Sequence, residues 1–152
     1  MEKTLTNLIN DLTCTIPSLQ RKLSAVNYKL YIEYDLNKSH IGVLFLLYRE
    51  DNKTMSNIGK AFGISKPNAT SIIDKLVTNG FAERIADQKD RRLVYIKLTG
   101  EGRKFVERCR ENIENVLQKI LSGYSSKELK LLEESLKNIK LLVSRIGDLN
   151  LE

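Results

Sequence analysis

The order of residue types between Asn57 and Leu98 leaves few folds open. A short helix-patterned stretch carrying Gly59 ends at Gly63, and a second stretch opens on Ser65 with few charges. A basic loop, Asp87-Gln88-Lys89-Asp90-Arg91-Arg92, then sits between two runs of β-forming residues. Two helices that cross at a tight turn need a small residue at the crossing, which Gly59 supplies, and a residue suited to the reversal, which Gly63 supplies. Ile64, Ala69 and Ile72 are spaced to pack the second helix on the first. The segment predicts a helix-turn-helix followed by a β-wing, an arrangement that grips duplex DNA.

The boundaries of these elements have local causes. The Ser65 hydroxyl can accept from an orphan amide of the first helical turn, and Pro67 is tolerated there because first-turn amides lack a helical acceptor. Ala69, Ile72, Ile73 and Leu76 form an inward face and leave Lys66, Asn68, Ser71 and Lys75 outward, with Asn79-Gly80 ending the helix. Thr54-Met55-Ser56-Asn57 opens the preceding helix, with Met55, Ile58, Ala61 and Phe62 expected inward. Ala82 to Ala86 and Leu93 to Leu98 are the two strands of a hairpin, the second alternating Val94, Ile96 and Leu98 against Leu93, Tyr95 and Lys97.

Helices flank this segment. Leu5, Leu8, Leu12, Ile16, Leu19, Leu23, Val26 and Leu30 make one narrow apolar stripe that calls for a partner helix, and Pro17 predicts a kink or restart within it, with Thr15 as a cap. Asn37-Lys38-Ser39 reads as the entry to a buried helix running from His40 to Tyr48. After Thr99 a long helix carries Phe105, Cys109, Ile113, Val116, Leu117 and Ile120 on one side and ends near Ser122-Gly123. Ser125 or Ser126 caps a last helix with a second seam, Leu129, Leu132, Leu136, Ile139, Val143 and Ile146.

With 152 residues, 41% of them hydrophobic and 29% charged, the chain suits one soluble, mostly helical domain. Lysine and arginine outnumber acidic residues 25 to 19, a net charge of +6 that favours a polyanionic partner. Cys14 and Cys109 belong to no Cys-x-x-Cys pair, so neither a disulfide framework nor a zinc site is expected, and a reducing, cytoplasmic setting follows. The N-terminus has no basic region leading into an apolar core, and no apolar run nears the ~20 residues that span a bilayer, which argues against secretion and membrane insertion. One histidine, no phosphate-binding glycine loop, no dinucleotide fingerprint and no nucleophile elbow argue against an enzyme and against a metal or other cofactor.

The candidate DNA contacts lie on the second helix and on the loop. Ser65, Lys66, Pro67, Asn68, Thr70 and Ser71 occupy the half of the helix that enters a major groove, with Lys75 farther along. Asn68 can pair bidentately with adenine, Lys66 can reach guanine or phosphate, and Pro67 or the Thr70 methyl can touch a thymine methyl. Lys89, Arg91 and Arg92 stand at the hairpin tip, placed to project a cation into a minor groove, and Asp90 is placed to orient a neighbouring arginine.

Ile64 to Leu76, Asn79-Gly80-Phe81-Ala82-Glu83-Arg84, Asp87 to Arg92 and Val94 to Gly102 together resemble the MarR family of transcription regulators, in its order of helix, "G-hydrophobic-x-x-R", "D-x-R" and "hydrophobic-x-L-T-x-x-G". The resemblance implies a mostly α fold with a small β-wing: a winged helix-turn-helix over residues 38–99, flanked by dimerisation helices over residues 1–34 and 100–148. It implies a homodimer on a pseudo-palindromic double-stranded operator, acting as a repressor released by a small-molecule effector. In the "D-x-R" pair, Asp90 would hold Arg92 in the minor groove. Many relatives carry arginine where Ser71 stands, which puts one phosphate contact in doubt.

By the same resemblance, Thr70 and Arg84 match positions that touch small aromatic acids in some relatives, and His40 and Tyr28 are added as effector candidates. Arg84 bound to phosphate or to a local carboxylate, and His40 serving as a helix-entry hydrogen-bonding residue, are the plainer readings. Cys14 on the first helix resembles the reactive cysteine of the hydroperoxide-sensing branch, with Tyr28 as its tyrosine partner and Ser39 near the place of a second. A winged domain serving only protein contacts is the remaining alternative.

Overall fold

The computed structural model describes residues 2–88, 90 and 93–146. It forms two units, Met1–Ile113 and Glu114–Glu152, which are described separately. The first holds α1 (Glu2–Val26), α2 (Tyr28–Glu33), α3 (Lys38–Arg49), β1 (Lys53–Thr54), α4 (Met55–Phe62), α5 (Lys66–Thr78), β2 (Ala82–Ala86), β3 (Val94–Leu98) and most of α6 (Gly100–Leu121). The second holds the end of α6 and α7 (Ser126–Ile146).

The N-terminal stripe folds differently from its sequence pattern. Pro17 neither breaks α1 nor begins a new helix, and Thr15 is no cap, because α1 continues through both. Proline removes one ladder hydrogen bond, but its fixed φ near −65° is the helical value, so a long helix can carry it. The interruption comes at Asn27, whose φ of −101° and ψ of 10° end α1 and start α2. Along α1 the apolar stripe stays uncovered, with Leu5, Leu8, Leu12, Ile16 and Leu19 all more than half exposed, whereas Leu30 on α2 joins the core.

That core is built on α3, whose Val43, Leu44 and Leu47 are fully buried, together with Ile58, Ile73, Leu76, Ile96 and Val106. Tyr34, Phe81 and Phe105 close one end as an aromatic triad with centroid separations of 4.6–5.5 Å. The α3 entry follows the sequence: Asn37 accepts from the amides of Ser39 and His40, and His40 Nδ1 accepts in return from the Asn37 amide at 3.0 Å.

The sheet has three strands in the order β1-β3-β2, all antiparallel. The expected hairpin is present, with Ala82 opposite Leu98 and Ala86 opposite Val94. β1, which pairs Lys53 with Ile96 and Thr54 with Tyr95, carries no sequence period because it is two residues long. At the other end of β3, Gly102 on α6 lies so close to Phe81 that a Cβ there would sit 2.0 Å from the Phe81 carbonyl oxygen.

In the second unit, Ser125 caps α7 by accepting from the Glu128 amide, and the Glu128 carboxylate accepts from the Ser125 amide and hydroxyl in return. The α7 seam is exposed at Leu129, Leu132, Leu136, Ile139 and Val143, and Leu131, Leu141 and Leu142 widen it beyond the narrow stripe of the sequence pattern.

Candidate nucleic-acid interface

Two capped helices and a left-handed glycine build the site. Thr54 and Asn57 cap each other's backbone amides at the start of α4. At its end Gly63 takes φ 59° and ψ 34°, a conformation that costs a residue with a Cβ more than it costs glycine, and Ile64 then donates to the Gly59 carbonyl at 3.0 Å. Gly59 faces this turn: a Cβ there would lie 3.2 Å from the Ile64 carbonyl oxygen. Ser65 caps α5 by accepting from the Asn68 amide, with Pro67 in the first turn. Of the four α4 residues expected inward, Ile58 is buried and Met55 half-buried. Ala61 and Phe62 are not: Ala61 is exposed and Phe62 is 37% exposed, its ring edge lying where a side chain at Gly42 would be. With only eight residues, α4 buries a stripe narrower than its apolar content.

α5 has two dissimilar halves. Ala69, Ile73 and Leu76 are buried along its inner face. Three contacts hold the C-terminal half. Lys75 pairs with Asp35 at 2.6 Å, Asp74 pairs with Arg84 at 2.6 Å, and the Asn79 amide donates to the Tyr34 carbonyl at 2.8 Å. The Lys75 contact keeps the Asp35 carboxyl below its ordinary range, through the hydrogen bond first and the charge second. At the N-terminal half Ser65, Lys66, Pro67, Asn68 and Ser71 are exposed, and among the described residues the side chains of Lys66, Asn68 and Ser71 make no hydrogen bond or ion pair. Thr70 is half-buried and its hydroxyl donates to the Lys66 carbonyl at 2.9 Å, which turns its polar group back onto the helix.

At the hairpin, the Asp87 amide donates to the Leu93 carbonyl, the Leu93 amide to the Asp90 carbonyl, and the Asp90 amide to the Asp87 carboxylate at 2.8 Å. The loop is thus closed by its own backbone at the base. Lys89, Arg91 and Arg92 lie outside the described residues, and with them the expected hold of Asp90 on Arg92.

A cleft of about 570 Å³ runs between α4, the turn and β3, lined by Met55, Gly59, Ile64 and Val94 with Lys60 and Lys66 among its polar residues. No carboxylate lines it among the described residues. Lys60 carries no signal in the sequence that separates it from other surface lysines. A second hollow of about 340 Å³ gathers Asp35, His40, Ser71 and Lys75.

The four effector candidates are not collected in one cavity. His40 faces the second hollow, Thr70 is bonded to its own helix, Arg84 is paired with Asp74, and Tyr28 is exposed at the start of α2. Burial, then the charge of Lys75, pushes the His40 imidazole below its ordinary value, which suits its role as a neutral acceptor in the α3 cap. Cys14 is exposed on α1 beside Thr15, Ser18, Leu19 and Lys22. Helical rise separates it from Tyr28 by about 20 Å within the chain, so the tyrosine is not its neighbour there and the hydroperoxide reading finds no support. No described helix is long and apolar enough to cross a membrane.

The MarR family profile matches residues 34–93, which cover α3 to the end of the hairpin loop. The chain is 37% identical over 76 residues to the uncharacterized HTH-type transcriptional regulator YkoM of Bacillus subtilis, a match covering 50% of this chain and about half the length of that protein (49%). It is 29% identical over 133 residues to the transcriptional repressor MprA of Escherichia coli, covering 86% of this chain and 74% of that one. A solved MarR family protein from Bacillus stearothermophilus superposes with a TM-score of 0.78 at 19% identity, over 95% of this chain and 98% of that one. Residues 34–93, which run from α3 through α4, the Gly63 turn, α5 and β2 to the hairpin loop, thus match the MarR family, and the chain has the winged helix-turn-helix fold of that solved MarR family structure.

Proposed function

We propose that this chain is a sequence-specific double-stranded DNA-binding transcriptional regulator, acting as a homodimeric repressor released by a small-molecule effector. The observation that carries the DNA reading is the division of α5: its C-terminal half is fastened by Lys75, Asp74 and Asn79, while Lys66, Asn68 and Ser71 stand exposed on its N-terminal half. Rigid presentation of short polar side chains is what base reading in a major groove requires. Lys75, engaged with Asp35, contributes to DNA binding through helix position.

The uncovered stripes on α1 and α7 support two copies, since such apolar surface on a soluble chain marks an association face. The cleft beside Lys60 and Lys66 supports release by an organic anion with an apolar body: its occupation would withdraw Lys66 from DNA.

Selection from random duplex DNA, followed by sedimentation of the free protein, tests the reading. Recovery of an inverted repeat by a two-chain species, with affinity falling steeply as salt rises, is expected. A protein-contact module would enrich no sequence and show no such salt dependence.

A further inference from the structure

Among the described residues, Asn27 is the one buried polar or charged side chain, 1% exposed, and it sits where α1 ends and α2 begins. Both ends of its amide are used on α6. Nδ2 donates to the Cys109 carbonyl at 2.9 Å, and Oδ1 accepts from Asn112 Nδ2 at 2.8 Å. Its backbone also bridges the break, donating to the Ser24 carbonyl and accepting from the Tyr31 amide. The Tyr31 hydroxyl adds contacts to the Asn27 side chain and to the Cys109 thiol. Burial, before any other cause, pushes Tyr31 up to about 12 and Cys109 up to about 11, so the cluster stays neutral at physiological pH.

Among the described residues of the first unit, little else holds the direction of α1. Its side chains from Leu5 to Leu19 are largely exposed, and burial begins only near Leu23. Apolar packing at such a joint would tolerate rotation, because it has no direction. Two hydrogen bonds to separate points on one helix do not, since turning α1 away leaves a buried amide or carbonyl unpaired. A single buried asparagine is known to select geometry in this way at some cost in stability.

We propose that Asn27 is a positioning residue: its two-point contact with α6 fixes the direction in which α1 leaves the winged region, and thereby the separation of the two winged regions in the dimer. The second clause rests on the dimer reading above.

The test pairs Asn27→Leu, similar in volume but without the amide, with Asn112→Ala, which removes one contact and leaves the α1–α2 break alone. Spin labels on Asn10→Cys and Glu111→Cys, in a Cys14→Ser background and diluted into unlabelled chain, report the α1–α6 distance within one chain. The expected result is a single narrow distribution in the parent that broadens roughly twofold in both variants. On duplexes with the selected half-sites, both variants keep the base preference. The parent's preference for one half-site spacing over another one base pair longer falls from about tenfold toward equality. An unchanged distance distribution overturns the joint. Broadened distances with unchanged spacing preference overturn its effect on DNA. A parent without any spacing preference refutes the dimer reading instead, and the distance arm still decides the joint.

Discussion

Replacing Gly102 with alanine sets two effects of opposite sign against each other. Gly102 is in the first turns of α6, where alanine is favoured over glycine by about 1 kcal/mol in a helix interior. Against this, the new Cβ would meet Phe81 oxygen at 2.0 Å, Phe81 carbon at 2.9 Å and Leu98 Cδ2 at 3.0 Å. The first two belong to backbone and cannot rotate aside. The same Phe81 carbonyl accepts from the Thr99 amide at 3.1 Å, so pushing it away weakens the junction of β3 and α6. Overpacking costs about 1–3 kcal/mol and a strained hydrogen bond about 1 kcal/mol. Net of the helix preference, Gly102→Ala is expected to destabilise by about 1–3 kcal/mol. Gly100→Ala is the control, since a Cβ there meets nothing within 4 Å, and it should be neutral or stabilising. Urea unfolding followed by circular dichroism at one fixed protein concentration measures both. A Gly102→Ala variant as stable as the parent, or more so, would refute the close approach of α6 to Phe81.

His40 should make stability depend on pH. Its folded value is lowered, so the unfolded chain binds the proton first; the stabilisation is whole above 6.5 and drains as pH falls through the depressed folded value. Protonation also turns Nδ1 from acceptor to donor and opens the α3 cap, a loss of about 0.5–2 kcal/mol. His40→Gln, which keeps an acceptor at that position, should flatten the profile in thermal melts between pH 7 and about pH 5. Asn68→Ala should relax discrimination at one base pair per half-site in a repeat selection. Lys66→Ala should weaken all sequences alike and reduce the salt slope by about 1. Arg92→Ala should cost about 1–3 kcal/mol of operator binding with the dimer intact in sedimentation, and unchanged affinity would count against the wing assignment.

What could be read from residues alone were features set by neighbours in the chain. The opening of α4 at Thr54, the α5 cap at Ser65 and the turn at Gly63 arise from contacts a few residues apart, the Ala82–Leu98 hairpin pairs two consecutive segments of the chain, and all stand in the fold. Of the outward set Lys66, Asn68, Ser71 and Lys75, the first three are exposed as the helical period places them, whereas Lys75 is half-buried against Asp35, a partner the period does not reveal. The restart expected at Pro17 does not occur because its fixed φ suits a helix and it removes one ladder hydrogen bond among many in α1, and Ala61 and Phe62 are not buried because a period does not say how wide a buried stripe will be.

Tertiary structure decided the long-range partners. Lys75 meets Asp35 forty residues earlier, Asn27 meets Asn112 across eighty-five, and β1 exists only because β3 runs beside it. No spacing encodes such pairs, since each depends on how separate helices and strands settle on α3. Composition, caps and periodicity therefore determined a winged helix-turn-helix with a polar reading edge. Only the packed chain determined how that edge is held: α5 is fastened at one end and left exposed at the other because its partners arrive from β2 and from the turn between α2 and α3.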